Sequence, residues 1–298
     1  MINKMTVKGL TKKIILILFI IPLQTCSVAG QFWYDRLDIY LANYFFKYAE
    51  FSEEQKSYIR KTTKEFHRWN INLELLKYKN LLIEIKNLDD KTTSQDIKKI
   101  FNEGRFLFQE SYNFFIPYMV TFCKSLTDKQ IKEISLKFEK RIDKWESSLK
   151  KSKNIDPVKT AVTSYYQLSR FLGVKLTKTQ KKELKRLYSS TEDLRTDSIE
   201  IQKVWNRQLI SILQSRNKGT FNSEIKIHFY SLLNTEQNNE RENVYYEMVA
   251  LTITSLNEKQ KNKFLRRINT IINSLDKIIK SQRYTKVDEL EYVAHHGQ

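Results

Sequence analysis

Apolar positions along the chain recur at helical spacing. Leu75, Tyr78, Leu82 and Ile85 follow a 3-4-3 rhythm, and Ile131, Ile134, Phe138, Ile142 and Trp145 repeat much of it. Such stripes give a helix one apolar face and leave the opposite face polar. No strand-like alternation of useful length competes with them. Glycine and proline, 6 and 3 in the whole chain, are too scarce for loop-rich or β-rich designs. The expected fold is all-α, a multi-helix bundle or elongated helical array. The breaks agree: Asn87-Leu88-Asp89-Asp90 reads as a polar turn, Asp156-Pro157 as N-cap plus first helical position, and Lys218-Gly219-Thr220 as a helix stop.

One short phrase opens four of the predicted helices. It stands as Phe51-Ser52-x-x-Gln55, Leu126-Thr127-x-x-Gln130, Leu176-Thr177-x-x-Gln180 and Leu256-Asn257-x-x-Gln260. A large apolar residue precedes a side chain that accepts from free helix amides, and a glutamine three residues on can reach back to the cap's own N–H. That is a capping box, worth about 1 kcal/mol at the cap. Ile59, Ile134, Leu184 and Phe264 supply an apolar residue seven positions past each cap. A hydrophobic staple is available only at Ile131, because Lys56, Lys181 and Lys261 hold the other equivalent positions. The leading apolar residues are therefore expected to point into a core between helices.

The phrases at 51 and 176 lie 125 residues apart and those at 126 and 256 lie 130 apart. Phe115, Tyr118 and Ser125 face Tyr245, Met248 and Ser255 at the second offset. The expected organisation is a tandem duplication, with a first helical half over 26–155 and a second over 156–298, each burying its apolar face on the other. The alternative is four independent helix starts in an all-helical protein.

The first residues read as an address. Lys4, Lys8, Lys12 and Lys13 precede the apolar run Ile14 to Pro22, and Leu23-Gln24-Thr25-Cys26 follows at once. The run is well short of the roughly 20 residues a spanning helix needs, and the order is that of a secretory signal peptide. A cysteine preceded by leucine at −3 resembles a bacterial lipobox. It implies a signal peptide over 1–25, a lipid-modified Cys26 and, with Ser27 next to it, sorting to the periplasmic face of the outer membrane.

Composition narrows the partners. The net charge is +18, falling to +14 once the four signal lysines are removed. A basic protein outside the cytoplasm has membrane phosphates, cell-wall carboxylates or acidic and unfolded protein segments as counterparts, and not nucleic acid. Abundant lysine, asparagine and isoleucine also fit a plain compositional bias with solvated helix faces. Cys26 and Cys123 are the two cysteines, so a lipidated Cys26 leaves no disulfide framework. Cys123 lies among apolar residues and is expected to be a buried thiol.

Catalytic chemistry is thin. Glu110-Ser111-Tyr112-Asn113-Phe114 matches the start of a lytic transglycosylase motif, but no glycine-rich segment follows to shape a sugar cleft. His67 and His228 are isolated, and the adjacent His295 and His296 cannot both face one ion on a regular helix. There is no phosphate loop and no nucleophile elbow. Trp33, Trp69, Trp145 and Trp205 fit a helical core better than a ligand platform. No enzyme activity, metal or cofactor is expected.

Two resemblances emerge from these residues. Tyr34-Asp35-Arg36-Leu37-Asp38, Tyr44-Phe45, Phe51-Ser52 with Gln55, and His67-Arg68-Trp69 resemble an uncharacterised family of proteobacterial all-helical lipoproteins, over nearly the whole mature chain. That resemblance implies fold and address alone. The phrase itself is similar to the Leu-Thr-x-x-Gln repeat of periplasmic chaperones of the Spy type, basic helical cradles that hold unfolding clients. This chain is about double their length and carries four phrases, so one chain would supply both halves of a cradle. The expectation is non-catalytic binding, either of a protein client in a chaperone-like role or as an adaptor in an envelope complex, with the oligomeric state left open.

Overall fold

Side-chain caps set where several of the helices begin, and apolar stripes set how they pack. The computed structural model describes residues 27–151, 156–233 and 240–296, with side chains over 31–151, 156–233 and 240–281. Among the described residues every regular element is helical. The first half contains α1 (Ser27–Tyr34), α2 (Leu37–Phe45), α3 (Glu53–Trp69), a π-helical turn (Asn70–Glu74), α4 (Leu75–Lys86), α5 (Ser94–Lys124) and α6 (Asp128–Lys151). The second contains α7 (Pro157–Phe171), α8 (Lys178–Tyr188), α9 (Arg195–Gln214), α10 (Phe221–Tyr230), α11 (Glu240–Thr254) and α12 (Glu258–His296).

The elements recur in order at the offsets of the phrases. α2 leads into the first phrase as α7 leads into the third, and α3 with α4 corresponds to α8 with α9. The long α5 corresponds to α10 and α11 together, and α6 to α12. Where the second half breaks its helix between Tyr188 and Arg195, the first half runs through a π turn.

Contacts between elements come in matching pairs as well. α2 packs on α3 as α7 packs on α8, and α3 packs on α5 as α8 packs on α11. Contacts also cross between the halves: α6 lies on α9, and α12 lies on α4 and α1. Because α4 and α9 are equivalent, each half sends its last helix onto the same element of the other. α5 and α11, also equivalent, pack together between them.

The cores follow the same exchange. One cluster joins Phe51, Ile59, Leu126 and Ile134 of the first half to Leu209, Leu213 and Ile225 of the second. Its counterpart joins Leu176, Leu184, Ile253 and Phe264 to Leu82, Ile85 and Leu88 of the first half. Ile59 and Leu184, like Ile134 and Phe264, occupy the same place in each. Each cluster therefore removes apolar surface of both halves from water together.

Asp156 caps α7, its carboxylate accepting from the Val158 N–H at 2.9 Å. Gly173 closes that helix at φ +85°: its N–H donates to the Arg170 carbonyl at 3.0 Å and the Val174 N–H to that of Ser169 at 2.8 Å, the paired bonds of a Schellman motif. The stop expected at Lys218-Gly219-Thr220 falls earlier. α9 closes at Ser215, whose N–H reaches the Ile212 carbonyl, and Gly219 lies in the turn leading to α10.

Candidate functional site

All four phrases form capping boxes. The N–H of Ser52 donates to Gln55 Oε1 at 3.0 Å and the N–H of Gln55 to Ser52 Oγ at 3.2 Å. Thr127 with Gln130, Thr177 with Gln180 and Asn257 with Gln260 repeat the arrangement at 2.8–3.3 Å. Phe51, Leu126 and Leu176 are buried, and Leu256 is half-buried against the second core.

The glutamines do more than cap. Gln55 Nε2 donates to Gln130 Oε1 at 3.0 Å, and Gln130 Nε2 donates back to Gln55 Oε1 at 2.6 Å. Gln180 and Gln260 make the same exchange at 3.4 and 3.0 Å. Each amide also reaches the backbone carbonyl just before the partner's leading apolar residue: Ser125 for Gln55, Glu50 for Gln130, Ser255 for Gln180 and Lys175 for Gln260. Ser125 and Ser255 add hydroxyl acceptors to Gln55 and Gln180. Both donors and both lone pairs of each amide are thereby engaged, as burial of all four side chains demands. The phrases are thus two clasps, each tying a pair of helix starts; they are saturated and offer a ligand no open polar group.

An open surface is found instead between α4 and α5. A groove of about 760 Å³ is lined by Leu81, Phe106 and Leu107 together with Lys77, Lys98, Lys99, Glu84, Asp96 and Glu103. Phe106 is 55 % exposed. The lining pairs three lysines with three carboxylates, so the groove is apolar and charge-balanced, not basic as a simple cradle would be. Lys77 Nζ lies 2.6 Å from the Glu74 carboxylate, and Asp96 is held by the Thr93 cap. Hydrogen bonds from Thr93 keep the Asp96 carboxyl below the usual range. That Thr93-Asp96 box is a fifth helix start, legible as Thr-x-x-Asp but outside the glutamine pattern.

Other candidates are structural. Cys123 packs on the first core, and burial pushes its thiol up to about 12, leaving it protonated and inert. Ser111 is buried with its hydroxyl 3.1 Å from the Tyr78 hydroxyl, and Glu110 does not line the groove. His228 stacks on Trp205 with ring centroids 4.5 Å apart, and burial pulls its pKa down to about 4. Among the described residues no group of three histidine, cysteine, aspartate or glutamate side chains could hold a metal ion. Among them, too, no helix is long and apolar enough to cross a membrane. Cys26, the segment 1–25 expected to be a signal peptide and the side chains of His295 and His296 lie outside the described residues.

The sequence model of a family of unknown function, DUF6279, matches residues 47–239, from just before the first clasp through α10. The chain belongs to the DUF6279 family. The matched region holds three of the four phrases and the whole α4/α5 groove, and stops short of α11 and α12. No curated protein and no solved structure matches the chain.

Proposed function

We propose that this DUF6279 protein is an outer-membrane lipoprotein, anchored through Cys26 on the periplasmic face, that binds an extended protein segment without catalysis. The observation that carries the reading is the α4/α5 groove, where Phe106 stays exposed beside Leu81 in a concave lining of apolar and charged side chains. Exposed apolar surface beside a concave, charged lining suits an unfolded or flexible partner strand. The chaperone-like role follows from this and from the Leu-Thr-x-x-Gln phrases, and a tandem duplication accounts for the paired clasps.

The balanced charge of the groove favours a second reading, an adaptor that holds one defined partner in an envelope complex. Aggregation of an unfolded model client, measured with the unlipidated mature chain at near-equimolar ratio, separates them. Suppression that Phe106→Ser and Leu81→Ser weaken supports the client-holding role. Unchanged aggregation, together with groove-dependent co-purification of one envelope complex, replaces it with the adaptor.

A further inference from the structure

α1 and α2 are apolar on both sides. Tyr34, Leu37 and Ala42 are buried, Tyr34 donating its hydroxyl to Asn70 Oδ1 at the start of the π turn. The opposite side carries Phe32, Ile39, Tyr40 and Tyr44, and Phe32 and Ile39 are 55 % and 51 % exposed. A helix that is apolar all round is normally covered all round. No described element covers this face.

We infer that this outer face of α1 and α2 lies on the phospholipid surface and sets the orientation of the body on the membrane. Its composition is that of an interfacial helix. Trp33 stacks on Tyr40 with ring centroids 5.1 Å apart, and the Arg36 guanidinium sits 4.2 Å over the Phe32 ring. Aromatic rings with one polar edge settle at headgroup level, and a cation on an apolar stem reaches phosphate from there. The exposed stripe runs from Phe32 through Arg36, Ile39, Tyr40 and Asn43 to Tyr44 and Lys47, with Asp35 at its edge, so it can lie in the interface plane.

Position selects lipid over a protein occupant. α1 opens at Ser27, next to Cys26, and five residues of helix span only about 8 Å. An acyl chain on Cys26 therefore holds Phe32 within reach of the headgroups. The geometry rests on the anchor reading, but the chemistry of the face can be tested without the acyl chain.

The test uses the mature chain from residue 26 carrying Cys26→Ser, mixed with vesicles of phosphatidylethanolamine and phosphatidylglycerol. The chain is expected to cosediment, and the triple variant Phe32→Ser, Ile39→Ser, Tyr40→Ser to partition roughly tenfold more weakly or worse. Phe106→Ser, in the groove, should leave binding unchanged. A second measurement needs no disruptive variant: brominated phospholipid should quench part of the tryptophan emission, and Trp33→Phe should remove that part. A Cys26→Ser chain left in the supernatant, or quenching that survives Trp33→Phe, would overturn the inference. Metabolic palmitate labelling of Cys26 reads the anchor separately, so either can fail while the other stands.

Discussion

Gln55 and Gln130 exchange side-chain amide hydrogen bonds in both directions although 75 residues separate them. Each amide also serves its own cap and a backbone carbonyl of its partner's loop. Removing one leaves buried groups of the other unpaired, so Gln55→Ala and Gln130→Ala should each cost about 2–3 kcal/mol. The double variant should cost at least about 1 kcal/mol less than the sum. Gln55→Ala with Gln180→Ala should be additive, because those residues belong to different clasps. Urea midpoints of the single and double variants decide it.

The cap hydroxyls act locally. Thr127→Ala, Thr177→Ala and Thr93→Ala should each lower stability by about 0.5–2 kcal/mol with unchanged helix content by circular dichroism. Equal unfolding midpoints for the three variants and the parent would refute the capping account.

Two glycines should respond with opposite signs. At Gly173 an added Cβ would meet the Lys263 carbonyl oxygen at 2.9 Å, on a backbone with φ +85°, so Gly173→Ala should destabilise by more than about 1 kcal/mol. At Gly104, inside α5, the nearest atom is Leu81 Cδ2 at 3.6 Å, an ordinary contact. Gly104→Ala should stabilise by about 0.5–1 kcal/mol. Thermal melts of both variants provide the comparison.

Stability should depend on pH through His228. Burial lowers its pKa from 6.5 to about 4, so the unfolded chain takes up a proton first as the pH falls. Its contribution is intact above about 6.5, shrinks as the pH falls toward about 4, and is level below that, a loss on the order of 3 kcal/mol. Burial shifts His67 in the same direction. His228→Phe, which can keep the stack on Trp205, should flatten this part of the profile. A parallel, unflattened profile would show that other groups govern acid unfolding.

The anchor is tested by Cys26→Ala. Metabolic palmitate labelling should disappear and the protein should leave the detergent phase; labelling that persists would refute acylation at this position.

Helix starts were readable because a capping box closes within four residues. Ser52 with Gln55 and Thr177 with Gln180 needed no distant partner to be recognised, and the stripe through Ile131, Ile134 and Ile142 declared its own buried face. Gly219 was misread because its neighbours look like a stop, while Ser215 already satisfies the end of α9. The Thr93 cap was missed because aspartate stands where the other boxes have glutamine.

Sequence by itself therefore determined the helical class, the four caps and the apolar faces, since all of these arise from interactions between near neighbours on one helix. Which cap joins which was decided only in three dimensions. A glutamine amide has spare donors and acceptors but carries no record of its partner, and the pairing of Gln55 with Gln130, and of Gln180 with Gln260, depends on how the helices return to one another. The same holds for α6 choosing α9 and α12 choosing α4: apolar stripes are interchangeable by composition, and only the geometry of joint burial selects the exchange between halves.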